Sequence, residues 1–161
     1  MRRCLVFAAL TVGFLGCGKG GGNPDDPVVM VADDDAKMNA AMDKARKTVE
    51  AFIAALKSPK AGQVAFSVKA PFADGEHVEH MWLAPVSYDG ANFQGVVNND
   101  PALVKNVKIG DQVTVAPDKI SDWMYVDGRK LVGGETLRAL RDGLGPKERA
   151  EFDESVPFVI E

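Results

Sequence analysis

This 161-residue chain has two cysteines and two histidines, and it lacks any apolar run long enough to cross a bilayer. Both cysteines, Cys4 and Cys17, sit at the N-terminus. From residue 18 onward there is no thiol for a disulfide, a thiolate nucleophile or a zinc cluster. The histidines, His77 and His80, are three residues apart. Charge of the basic sign is also short: 19 Lys and Arg stand against 23 Asp and Glu. An acidic chain without a basic patch is a poor partner for nucleic acid and for anionic lipid surfaces. A phosphate-binding loop and a dinucleotide fingerprint are both missing, as are internal repeats, and nothing marks a cofactor.

The informative feature is the first seventeen residues. Arg2 and Arg3 precede an uncharged run from Leu5 to Leu15, and Gly16-Cys17 closes it. Charge, apolar run and small residues in that order read as an export signal. The run is about half the ~20 residues that a spanning helix needs, so residues 1–16 are expected to be a signal peptide. Phe14-Leu15-Gly16-Cys17 resembles the bacterial lipoprotein signal, although that family usually has Leu where this chain has Phe14. The resemblance implies lipid on Cys17 and anchoring in the cell envelope, facing the periplasm. Gly18 is not the Asp of the inner-membrane retention signal of enteric bacteria, which favours the outer membrane. The alternative is ordinary cleavage and secretion. Losing Arg2 and Arg3 takes the net charge from −4 to −6.

Residues 17–33 read as a flexible tether. Gly20-Gly21-Gly22 and Asn23-Pro24-Asp25-Asp26-Pro27 have nothing to bury, and Val28–Ala32 is a short apolar patch without an evident place. Residues 34–59 read as one amphipathic helix. Acids at 33–35 suit its N-terminus, Met38, Met42, Ala45, Val49, Phe52 and Leu56 form its stripe, and Ser58-Pro59 ends it. The stripe would pack on the following domain, or else on another chain.

From residue 60 to 161 the period changes to two. Strands are expected at Val64–Val68, Val78–Val86, Ala91–Val97, Gln112–Ala116, Ile120–Val126 and Arg129–Val132. Asp89-Gly90 and Asp127-Gly128 mark hairpins, and Ala102–Val107 suits one helical turn. Gly133-Gly134 opens a helix with Leu137, Leu140 and Leu144 on its apolar side, and Pro146 starts another. The fold class is α+β: a long N-terminal helix, a strongly bent antiparallel sheet of about six strands, and short C-terminal helices. A partly open small barrel is the variant of that sheet to test.

Residues from about Val68 to Phe158 resemble a bacterial family of unassigned function, DUF2314. The blocks that carry the likeness are Glu79-His80-Met81-Trp82, then Phe93-Gln94-Gly95 with Asn98, and Ile109-Gly110-Asp111-Gln112-Val113. They continue with Ile120-Ser121-Asp122-Trp123-Met124 and Gly133-Gly134-Glu135-Thr136-Leu137-Arg138. The long helix and the signal lie outside these blocks. Several members look like envelope lipoproteins, and the pattern is loosely similar to small immunity-protein domains found beside bacterial toxins.

The candidate binding site drawn from these blocks is His80, Trp82, Asn98, Asp122, Trp123, Thr136 and Arg138. Glu76-His77-Val78-Glu79-His80 is the one cluster of metal-ligand types, but on a strand His77 and His80 point to opposite faces, so no metal site is assigned. His80 would be a buried histidine beside Trp82, or a general base with Asp122 orienting it and Arg138 clamping an anion. Asp122 would otherwise pair with Arg138 to orient the C-terminal helix. Gly133-Gly134-Glu135-Thr136 would bind an anion at a helix start, or only form a sharp turn. Both tryptophans suit core packing. Three functions follow: a non-enzymatic envelope domain that binds a protein or small ligand, an envelope hydrolase or transferase, and an immunity-type inhibitor whose acidic surface suits a basic toxin.

Overall fold

The computed structural model describes residues 4–8, 28–32 and 35–161. Cys17, the glycine-rich part of the tether and most of the signal segment lie outside the described residues. Within residues 35–161 the order is α1 (Ala36–Lys47), α2 (Val49–Lys57), then strands β3 (Gln63–Asp74), β4 (His77–Tyr88), β5 (Phe93–Val97), β6 (Gln112–Val115), β7 (Asp122–Asp127) and β8 (Lys130–Gly133), then α3 (Glu135–Gly143) and α4 (Pro146–Ser155). Two further strands precede them, β1 (Cys4–Ala8) and β2 (Val28–Ala32). The patch at Val28–Ala32 therefore has a place: it pairs antiparallel with β1, which runs parallel to β4.

The six strands β3–β8 pair with one another only antiparallel. One path runs β4-β3-β7-β8, and β5 and β6 continue from the far half of β4. β6 and β8 do not meet, so the sheet is α+β and bent, and it is not closed into a barrel.

The amphipathic segment is two helices. Asp35 caps the first, its carboxylate accepting from the backbone N–H groups of Lys37 and Met38 at 2.9 Å each. The break falls at Thr48, whose hydroxyl donates to the Lys44 carbonyl at 2.9 Å. The Ala45 carbonyl accepts from the Trp123 indole N–H at 2.9 Å. A threonine bonding back into its own turn competes with the helix ladder, and Trp123 holds the opened carbonyl. The stripe divides at the break: Met38 and Met42 of α1 pack with Val78 and with Ala139 and Leu140 of α3, whereas Ala45, Phe52 and Ile53 pack on the other sheet face.

That face carries the larger core: Ala45, Phe52 and Ile53 of the helices against Val68, Met81, Leu83, Phe93 and Trp123. Phe52 is its aromatic centre, with ring centroids 5.3 Å from Trp123, 5.7 Å from Phe93 and 5.9 Å from Phe66. The opposite face of β4, β3 and β7 is covered by α3 and the C-terminal segment, through Trp82, Met124, Leu131, Leu137 and Phe158. Both tryptophans are thus core residues, on opposite faces.

Three local expectations change. Strict alternation from Val78 through Trp82 would put Val86 on the Trp82 face, but the β4–β5 register shifts between Leu83 and Val86. Beyond that shift Val86 and Tyr88 join the Leu83 side. The Asp89 hairpin is a four-residue loop, since Tyr88 pairs with Phe93, and the Asp89 carboxylate accepts from the N–H groups of Ala91 and Asn92 at 2.8 and 2.7 Å. Residues 102–107 form no helical turn. The amides of Ala102, Leu103 and Val104 all point at the Glu79 carboxylate instead.

Candidate functional site

The sheet register alone brings three of the polar residues together. Lys69 on β3 stands opposite Trp82 on β4 and opposite Asp122 on β7, so the three form one cross-strand row. His80 lies two residues along β4 on the same face. Lys69, Trp82 and Asp122 are essentially inaccessible to solvent, and His80 is 5% exposed. Thr136, from the first turn of α3, closes the row from above.

Asp122 is the hub. One carboxylate oxygen accepts from the backbone N–H of Trp123 at 2.8 Å and of Glu135 at 3.1 Å. The other accepts from Thr136 twice, from its backbone N–H at 2.7 Å and its hydroxyl at 2.6 Å. The reason lies in the start of α3. Its N-cap is Gly134, in the left-handed conformation at φ 66°, with no side chain to offer. The carboxylate of Asp122, thirteen residues back in sequence, caps the helix in its place and also meets the positive end of its dipole. The glycine-rich turn is therefore an anion site whose anion is part of the chain. Lys69 Nζ donates to Thr136 Oγ1 at 3.4 Å and sits 5.1 Å from the Trp82 ring centroid.

Burial sets the titration of all three ionisable groups. It pushes the Lys69 ammonium down to about 7, with the Asp122 charge opposing. It lowers His80 to about 3, helped by the positive charges of Lys69 and Arg46. It raises Asp122 above the ordinary carboxylate range, against the hydrogen bonds from Thr136 and Trp123 and the charge of Lys69.

Arg138 belongs to a different network. Its Nε donates to the Gly133 carbonyl at 3.0 Å, and its two terminal nitrogens donate to the carbonyls of Leu131 and Glu161 at 2.8 and 2.5 Å. The expected Asp122–Arg138 pair is not formed, because the Asp122 carboxylate is taken by the start of α3; Arg138 instead holds backbone carbonyls of β8 and the C-terminal residue. Trp123 is spent on α1: its indole N–H reaches both the Ala45 carbonyl and Thr48 Oγ1. At Asn98 the backbone matters, its N–H donating to the Trp82 carbonyl at 2.9 Å. The neighbouring Asn99 completes the bridge, with its side-chain oxygen accepting from the Trp82 N–H at 2.7 Å.

Two residues of consequence were outside the sequence-derived set, Lys69 and Glu79. Both are buried charged side chains. Alternation showed which face each occupied, but gave no sign that both faces of β3 and β4 are covered. Glu79 accepts from Ala102 N at 2.9 Å, Leu103 N at 3.0 Å and Val104 N at 3.4 Å. His77 is exposed at the start of β4 while His80 is buried. Among the described residues no group of three His, Cys, Asp or Glu side chains is placed to hold a metal ion.

An open concavity of about 450 Å³ lies elsewhere, on the outer face of β4, β5 and β6. Ser87, Gln94 and Thr114 form one cross-strand row across it, with Gln112 alongside. Gly95 lets the strands approach there, since a Cβ at that position would lie 2.9 Å from Leu83 Cβ.

Residues 35–158 match the model of a family described as an uncharacterized protein conserved in bacteria, DUF2314. The chain belongs to the DUF2314 family. The match begins at the N-cap of α1, so both helices are part of the DUF2314 domain, although the residue blocks of the resemblance left them out. The covering of the Phe93–Trp123 core by α1 and α2 gives the physical reason. The chain is 39% identical over 126 residues to "Uncharacterized protein YegJ" of Escherichia coli K12, covering 78% of this chain and 80% of that one. It is 36% identical over 137 residues to "Putative ankyrin repeat protein NMB1133/NMB1171" of Neisseria meningitidis serogroup B, covering 80% of this chain and 54% of that one. No solved structure matches.

Proposed function

We propose that this DUF2314 protein is a non-enzymatic binding domain of the bacterial cell envelope, held by lipid on Cys17, that takes a partner on the open face of β4, β5 and β6. One observation carries the reading. The family-block residues that would serve as acid and anion clamp are used inside the fold and the base, His80, is buried, while the accessible concavity presents neutral hydrogen-bonding groups. Asp122 has both oxygens engaged by four donors, and Arg138 is bonded to three carbonyls. Ser87, Gln94, Gln112 and Thr114 suit recognition of a polar, uncharged group by direct or water-mediated hydrogen bonds. A hydrolase built on His80, Asp122 and Arg138 would have to dismantle the cap of α3 to free its acid.

Two measurements test this together. Mass spectrometry of the protein from envelopes should find an acylated Cys17 at the N-terminus, and Cys17→Ser should release the chain from the membrane fraction. A photo-crosslinking residue at Gln94 or Gln112 should then label one specific species, and Thr114→Ala with Ser87→Ala should abolish the label without moving the unfolding midpoint. An unmodified Cys17 thiol would sink the anchoring. Labelling that survives the double substitution would sink the binding face.

A further inference from the structure

We propose that, once residues 1–16 are removed, β2 replaces β1 on the edge of β4. This rests on the cleaved leader proposed above. The starting point is the direction of the β4 backbone. The N–H and C=O of Trp82 point away from β3, toward Asn99 Oδ1 and the Asn98 N–H. Alternation along a strand puts the corresponding groups of His80 and Val78 on that same edge. β1 is seated there, with Leu5 opposite Val78 and Phe7 opposite His80, and β2 lies on its outer side, with Val31 opposite Leu5 and Val29 opposite Phe7.

Cleavage before Cys17 removes the middle strand of these three. It leaves an open edge on β4 and an apolar strand, Val28–Ala32, with no partner. An open edge of unpaired backbone groups is a template for stray pairing. The two orphaned edges face each other across one vacated strand, and moving β2 inward by about 4.8 Å closes the gap. Residues 33–35 connect β2 to α1, and three residues span up to ~10 Å, so α1 need not move.

Direction and register both fit. β2 is antiparallel to β1, and β1 is parallel to β4, so β2 meets β4 antiparallel, as β3 and β5 do. Composing the two registers gives Val31 opposite Val78, Met30 opposite Glu79 and Val29 opposite His80. Valine-rich sequence favours the extended state. One consequence is orientation. Only ten residues separate Cys17 from Val28 in the sequence, so lipid on Cys17 stays near the β4 edge. The lipid would draw that side of the domain toward the bilayer.

The test is a disulfide between Val31→Cys and Val78→Cys in the exported full-length chain, read by peptide mapping alongside the mass of the N-terminus. Directly opposed residues of an antiparallel pair have Cα atoms about 5.5 Å apart, within disulfide range. With β1 still between them the separation is two strand spacings, about 9.6 Å. A cleaved leader with residues 31 and 78 linked is the expected result. A cleaved leader with both thiols free overturns the strand exchange and leaves the leader reading standing. A retained leader overturns both if the thiols stay free, and a link formed beside a retained leader shows that the pairing does not depend on cleavage. Hydrogen exchange on the unsubstituted mature protein checks the same point: the amides of residues 29 and 31 should be protected, and fast exchange there overturns the inference.

Discussion

The hydroxyl of Thr136 donates to Asp122 at 2.6 Å, across fourteen residues of sequence and from a helix to a strand. With the two α3 amides that Asp122 also accepts, this bond is where the C-terminal half of the domain is fastened to the sheet. Asp122→Ala would leave the first amides of α3 unsatisfied and remove the charge that opposes the effect of burial on Lys69. Each buried donor left unsatisfied costs about 1–3 kcal/mol, so the midpoint should fall by on the order of 10 °C at this size. Thr136→Val, which removes only the hydroxyl, should cost about 1–2 kcal/mol. Thermal unfolding of the two variants checks the order, and an Asp122→Ala midpoint equal to wild type would refute the capping role.

The buried bases make stability depend on pH with a definite sign. His80 is lowered in the fold from an ordinary 6.5 to about 3. Between those values the unfolded chain binds a proton that the native chain refuses, so stability falls as pH falls from 6.5 toward 3. Lys69 is lowered from 10.5 to about 7, so the same argument makes stability rise from pH 7 toward 10.5. Asp122, raised in the fold, contributes a slope of the opposite sign above its ordinary value. Denaturant titrations should show a flatter acid limb in His80→Gln and a flatter alkaline limb in Lys69→Met. The full slope of each limb is about 1.4 kcal/mol per pH unit. Limbs that persist unchanged in these variants would assign the effect to other groups.

Glu79 supports one loop, and the effect of its loss should be local. Glu79→Gln replaces an acceptor facing three amides with a group that also carries donors, at a cost of about 1–3 kcal/mol. Hydrogen exchange should quicken at residues 102–104 and stay slow in α3. Uniform quickening across the domain would mean that Glu79 acts on global stability alone.

Two glycines in left-handed conformations should respond differently to alanine. Gly133, at φ 74°, lies against Trp123, and an added Cβ would overlap the Trp123 carbonyl oxygen and ring. Gly128, at φ 62°, has open space around it. Gly128→Ala should cost about 1 kcal/mol, from conformation alone, whereas Gly133→Ala should prevent the β8–α3 turn from closing and leave little soluble protein. Equal midpoints for the two would contradict the close approach to Trp123.

Much of this fold is legible locally. Asp35 and Ser58-Pro59 bracket the helical segment, Pro146 starts α4, and alternation puts Trp82 and Trp123 on strands. These signals are short-range, arising from caps, proline geometry and side-chain period, so they survive in the sequence. The break at Thr48 is not legible, because threonine in a helix is ordinary until an indole from another element takes the neighbouring carbonyl. The site was half visible. Its residues could be named, but their partners lie across strands and could not.

The sequence by itself determined the class of protein: an acidic α+β domain, thiol-free from residue 18 onward, with DUF2314 blocks in order. Those properties depend on composition and local pattern. Only the tertiary structure decided what the block residues do. Register set Lys69 between Trp82 and Asp122, burial on both faces turned Lys69 and Glu79 into internal charges, and the uncapped start of α3 gave Asp122 its task. Cross-strand register and two-sided burial arise from contacts between distant segments, so no window of the chain records them.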